Sequence, residues 1–215
     1  MTKIYPSMSR RRFALGAACT AGLSATGAAR ARQVLAPTPE QALGPFYPTG
    51  YTGEDDFDMT HLEGHSDRAL GNVIEVSGRV LDRYGNPMRG AMVELWQAND
   101  AGRYAHANDV STGALDPNFQ GVARLVTGPS GEWRIKTIKP RFYDTPLGLR
   151  TPHIHFDIQG AAHRLVTQMY FDDEAEQNAT DFVYAPLGEQ TAATVAKTTA
   201  PATYRWDVVL MDAAS

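Results

Sequence analysis

The sequence predicts an all-β, single-domain fold: a β-sandwich of mixed or antiparallel strands carrying long loops. Three observations lead there. Short runs with two-residue alternation of apolar and polar side chains recur from residue 73 onward. Glycine and proline turns punctuate them, and no stretch shows a long, clean 3.6-residue period.

The elements follow in order. Ile74, Val76 and Val80 alternate with polar residues, and Tyr84-Gly85-Asn86-Pro87 supplies a turn. Met92 to Ala98 is a second apolar-rich strand, followed by a long polar loop over residues 105–121. Gly128-Pro129-Ser130-Gly131 turns the chain into a strand with Trp133, Ile135 and Thr137 on one face. Two more strands follow, around residues 153–158 and from Leu165 to Phe171, and Tyr204, Trp206, Val208 and Leu210 alternate in a last one. Residues 189–197 could form a short helix. Ahead of residue 73, Thr38-Pro39-Glu40-Gln41 reads as a helical start or a turn, and Gly44-Pro45-Phe46-Tyr47-Pro48 must be irregular. Residues 32–72 are therefore expected to form an irregular segment packed on a sandwich spanning 73–215.

The first 31 residues do not belong to that domain. Ser9-Arg10-Arg11-Arg12-Phe13 precedes a weakly apolar run of small residues, and Ala29-Arg30-Ala31 fits a small-x-small cleavage site. This is the pattern of a twin-arginine export signal, which implies a periplasmic or secreted mature protein without a membrane anchor. The only cysteine, Cys19, lies inside that segment, so the mature domain has no disulfides, thiolate nucleophiles or thiolate metal ligands. Residues 1–31 hold five basic residues and no acid, so removing them takes the net charge from −4 to −4 − 5 = −9. A domain this acidic is a poor partner for nucleic acid or an anionic membrane.

The densest chemistry lies in Arg150-Thr151-Pro152-His153-Ile154-His155-Phe156-Asp157-Ile158. On a strand, His153 and His155 share one face while Ile154, Phe156 and Ile158 share the other. The apolar triplet faces the core, so the imidazoles stand side by side as half of a metal site. A His-x-His pair alone is more often solvated surface. Without cysteine, the other ligands must be His, Tyr, Asp or Glu, and two tyrosines stand out: Tyr104, just past a strand, and Tyr143, ten residues before His153. His61, His65, His106 and His163 show no ligand-like spacing, and Trp96 belongs to the core or a pocket wall.

Five blocks in order resemble the intradiol ring-cleavage dioxygenases, in particular their protocatechuate 3,4-dioxygenase-like branch. They are Thr38-Pro39-Glu40-Gln41 with Gly44-Pro45-Phe46-Tyr47-Pro48, Trp96-Gln97-Ala98-Asn99 with Gly102-Arg103-Tyr104, Asn118-Phe119-Gln120-Gly121, Arg150 ahead of His-Ile-His, and Thr167-Gln168-Met169-Tyr170-Phe171. The resemblance implies a mononuclear Fe(III) held by Tyr104, Tyr143, His153 and His155. Two phenolates and a hydroxide would cancel the charge of the ion, which in turn would lower the phenol pKa values. It further implies cleavage of a small aromatic diol by O2, both oxygen atoms entering the product, to a cis,cis-muconate-type diacid. Tyr143 would act as a base, Arg150 would stabilise negative charge on the substrate ring, and Gln168 would support that region. Gly44 and Pro45, with Arg150, would contact substrate. The segment between Tyr143 and Arg150 is short and lacks an aromatic frequent in protocatechuate enzymes, which leaves the choice of catechol open. A homo-oligomer or paired-subunit assembly stays open as well.

A rival reading comes from another class. Val76-Ser77-Gly78-Arg79-Val80, Gly85-Asn86-Pro87 and Gly131-Glu132-Trp133 also fit a transthyretin-like sandwich, common in exported non-catalytic binding modules. A zinc or copper site is a third, since imidazole suits both ions.

Overall fold

The structure, a computed structural model, describes Met1 and residues 34–212. The expected export signal and Cys19 lie outside those described residues. The body is largely β, with eleven strands between residues 73 and 209. Nine of them form one continuous sheet and the other two a small separate one.

The long first strand β1 (Val73–Leu81) pairs antiparallel with β4 (Glu132–Ile138). Along its length it also pairs in parallel with β10 (Thr203–Arg205) and then β11 (Val208–Val209). From β10 the sheet continues through β9 (Val195–Ala200), β8 (Arg164–Phe171), β7 (His153–Gln159) and β2 (Met92–Trp96) to β3 (Val122–Val126). The far members β3 and β4 approach each other, so the sheet nearly closes on itself. Its concave interior is the core: Val76, Trp133 and Trp206 meet Ile154, Phe156, Ile158 and Met169 from the opposite side. Fully burying each such large side chain contributes about 1.5–3 kcal/mol. The remaining pair, β5 (Tyr143–Thr145) and β6 (Gly148–Arg150), is a hairpin outside the main sheet.

The alternation at β1 and β4 predicts their buried faces correctly. Three expectations need correction. Thr38–Gln41 is neither a helical start nor a turn. Thr38 donates its N–H to the Val209 carbonyl, its hydroxyl accepts the Val209 N–H, and Gln41 donates to the Val166 carbonyl, so this stretch runs extended along the sheet. The short helix expected at 189–197 is a kinked 3-10 segment, Ala185–Thr194, and Val195 already belongs to β9. The expected last strand is two short ones, with Trp206 between them donating its N–H to Ser77.

Candidate active site and metal centre

All six residues from His153 to Ile158 are buried, on both faces of β7. Ile154, Phe156 and Ile158 enter the core as the alternation requires. The histidine face is covered instead by residues from 34–60 and by the loop after β2. Register places Trp96 of β2 and Gln168 of β8 on either side of His155, and Tyr170 beside His153. Trp96 stacks on the His155 ring at 4.9 Å and 10°. From the covering segment, Gly44 lies so close that a Cβ there would meet His155 Cε1 at 3.1 Å, and its φ of +79° is left-handed. The left-handed φ favours glycine, and the close approach leaves a methyl room only if the imidazole gives way by a few tenths of an ångström.

Tyr104 is 3% exposed. Its N–H donates to Asp109 Oδ2 at 2.7 Å, and its ring stacks on Phe46 at 4.5 Å. Tyr143 opens β5, and the hairpin register sets Arg150 directly across from it. These placements bring four donor groups to one point. His153 Nε2 lies 3.3 Å from Tyr104 Oη, 3.4 Å from Tyr143 Oη and 3.3 Å from His155 Nε2. His153 Nδ1–H donates to the Thr151 carbonyl at 2.7 Å. A carbonyl only accepts, so this bond fixes the tautomer and leaves the Nε2 lone pair facing the cluster.

As a hydrogen-bonded network the cluster is poorly matched. One lone pair faces three neighbours, and His155 Nδ1 is buried without a partner. Burial pushes both imidazole pKa values well down and the Tyr104 phenol well up. Burial raises Tyr143 too, although the Arg150 charge pulls the other way. A cation settles this mismatch. A first-row metal bonded at ~2.0–2.1 Å would hold adjacent donors roughly 2.9–3.4 Å apart, the spacing His153 Nε2 already has to each of the other three atoms. Among the described residues no group of three or more His, Cys, Asp or Glu could hold a metal. A site here must therefore use the phenols.

The cluster opens on a cleft of about 610 Å³, lined by Gly44, Pro45, Tyr143, Arg150 and Gln168 among others. Of the four donor residues, Tyr143 is the one on that lining. Arg150 is 7% exposed and donates through Nε to Asp181 Oδ2 at 2.9 Å and through Nη2 to Gln168 Oε1. Burial opposes its charge, but Tyr143 and Asp181 outweigh that and raise its pKa. Every site residue expected from sequence thus falls at one locus.

The sequence reading missed Asp181, Gln41 and Tyr170. Asp181 is fully buried and accepts from Arg150, Thr151, Val183 and Tyr184. Gln41 donates to Thr167 Oγ1 and the Gln168 carbonyl and accepts from Tyr170 Oη at 3.0 Å. No spacing signal marks Asp181. Gln41 and Tyr170 sit within the quoted blocks, without a role assigned from them.

Fold and site together define a largely β protein with a buried cluster of nitrogen and oxygen donors at the wall of a cleft. A family model described as Dioxygenase matches residues 43–212. The chain is 46% identical over 132 residues to the beta chain of protocatechuate 3,4-dioxygenase from Burkholderia cepacia, covering 59% of this chain and 56% of that one. It is 34% identical over 190 residues to the alpha chain from the same organism, covering 81% and 92%. Catechol 1,2-dioxygenase from Pseudomonas arvilla C-1 superposes with a TM-score of 0.60 at 25% identity, over 83% of this chain and 63% of that one. The chain belongs to the intradiol ring-cleavage dioxygenase family. Its match spans little more than half the length of the beta chain.

Proposed function

We propose that the protein is an Fe(III)-dependent intradiol dioxygenase. It cleaves a catechol-type aromatic diol with O2, between the two hydroxyl-bearing carbons, to a cis,cis-muconate-type diacid. The observation that carries this reading is the convergence of two phenols and two imidazoles on one buried point beside the cleft, in a chain of this family. Tyr104, Tyr143, His153 and His155 would hold the iron. Bound there, ferric iron supplies Lewis acidity toward the diol oxygens and draws electron density from the ring.

The protein's own residues do the rest. Tyr143 lines the cleft beside Arg150, so its oxygen, ionised as phenolate when the metal is bound, would be the group that takes a proton from a diol hydroxyl. Arg150 also lines the cleft and keeps a positive charge where negative charge gathers on the ring. Asp181 and Gln168 hold that guanidinium in place. Gly44 lets the covering segment lie against His155, and Pro45 continues the cleft wall. A non-catalytic binding module has no use for four donors sharing one buried point.

Two further parts belong to the same reading. The nearly closed sheet is a flattened sandwich, supported by core residues drawn from both of its halves. Residues 1–31 direct export through the twin-arginine route, supported by the order of serine, arginines, phenylalanine and small apolar residues.

Iron-loaded protein should be red-brown from phenolate-to-iron charge transfer and should consume O2 with at least one catechol. A colourless iron-loaded preparation that leaves catechol, protocatechuate and hydroxyquinol intact would refute the proposal. A zinc or copper enzyme would show neither the iron content nor that band.

A further inference from the structure

The cleft carries information about the ring substituent, beyond the two hydroxyls any substrate of this site must present. Its outer part is lined by Val110, Pro146, Leu147 and Phe182. Val110 is 91% exposed and Leu147 77% exposed, on two different loops facing the same opening. The acids on the lining are Asp109 and Asp144. The one basic side chain among the described lining residues is Arg150, and its guanidinium is already engaged by Asp181 and Gln168. The nearby Arg103 and Arg141 are not part of the lining: Arg103 donates to the Gly113 carbonyl and Arg141 lies over the Phe142 ring.

We infer that the substrate is a catechol bearing an uncharged, apolar ring substituent, and that a ring carboxylate is selected against. This rests on the intradiol reading above. A carboxylate entering the cleft would give up water with no cation beyond Arg150, which already carries the Asp181 ion pair and faces the diol, and would approach two acids. An alkyl or aryl group would instead cover Val110, Leu147 and Phe182, which water now touches. The volume of about 610 Å³ falls within the ~300–1,000 Å³ of clefts that enclose ligands larger than a bare diol.

The test compares kcat/KM for 4-tert-butylcatechol and protocatechuate on the iron-loaded protein, with anaerobic calorimetry of 4-tert-butylphenol and 4-hydroxybenzoate as a readout that needs no turnover. The alkylcatechol should be favoured by about 100-fold or more, and only the alkylphenol should bind measurably. Leu147 sits at the exposed tip of the β5–β6 hairpin, so Leu147→Arg should fold and should raise kcat/KM for protocatechuate at least about tenfold. Equal or better turnover of protocatechuate by the unaltered protein overturns the inference and leaves the intradiol reading standing. Failure to cleave either diol sinks the reading beneath it, and the inference with it.

Discussion

Replacing Asp181 by asparagine tests whether the charge at the cleft is held from behind. Asp181 is fully buried, and both of its oxygens are used. Oδ2 accepts from Arg150 Nε and the Thr151 N–H, each at 2.9 Å. Oδ1 accepts from the Val183 and Tyr184 N–H groups at 2.8 and 3.0 Å. An asparagine keeps one oxygen and presents an NH2 where the other was. Whichever way the amide turns, two buried donors then face a third. Breaking a buried ion pair by removing one partner costs about 3–5 kcal/mol. For a domain of this size each kcal/mol lowers Tm by roughly 2–4 °C, so Asp181→Asn should lower Tm by roughly 6–20 °C. Arg150 should lose its orientation as well, so kcat should fall more than KM rises. Thermal unfolding by circular dichroism and steady-state O2 uptake would measure both effects. Asp144→Asn, an exposed acid on the same cleft, is the control and should shift stability by less than about 0.5 kcal/mol. A Tm loss under about 2 °C for Asp181→Asn, with kcat unchanged, would show that Arg150 does not depend on this carboxylate.

Gly44→Ala should destabilise the protein by about 1–2 kcal/mol through its left-handed φ, and should lower iron content by pressing a methyl on His155; urea unfolding and metal analysis report each. Tyr143→Phe should lose part of the visible band and most of the turnover while staying folded, and full colour with full activity would remove Tyr143 from the donor set. Tyr170→Phe removes a hydroxyl that donates to Gln41 Oε1 at 3.0 Å, with Gln168 Oε1 as the alternative acceptor, and should cost about 1–3 kcal/mol in denaturant unfolding. Burial alone would raise the Asp58 pKa, but Thr60 and Lys136 hold it below the usual carboxylate value; Lys139 and Tyr204 do the same against burial for Asp173. Folded values below the unfolded ~3.9 mean that this stabilisation is present above about pH 4 and is lost as pH falls through the lowered values. Urea midpoints should therefore drop below about pH 4, and Asp58→Asn should flatten that limb.

The histidine pair was legible because the apolar triplet interleaved with it fixes a strand and its inward face. That the other face is buried too was not legible, because periodicity says which side chains share a face and nothing of what lies over it. The cover comes from residues 34–60, which carry no regular element and hence no period. Thr38-Pro39-Glu40 carries the chemistry of a helix start, but the Thr38 hydroxyl and N–H are both used on Val209, and pairing with the sheet prevails over local preference. Strand β3 is short, with only its first two residues buried, and it gave no alternation to detect. Asp181 was invisible because its partners, Arg150 and Thr151, lie 31 and 30 residues away on the far side of β7 and β8, and Asp181 itself belongs to no periodic run.

The four donors are not held alike, and the difference bears on their roles. His153 and His155 stand on a strand paired on both sides, and Trp96 and the Thr151 carbonyl fix their rings. Tyr104 is buried and stacked, with its backbone tied to Asp109. Tyr143 lies on a two-stranded hairpin outside the main sheet, half-buried, with its neighbours Asp144 and Phe142 in solvent. A donor that must also carry a proton has to move without disturbing the others. Of the four, Tyr143 has the fewest constraints and stands across from the Arg150 charge, which is why the proposed mechanism gives that task to this residue and the scaffold of the site to the other three.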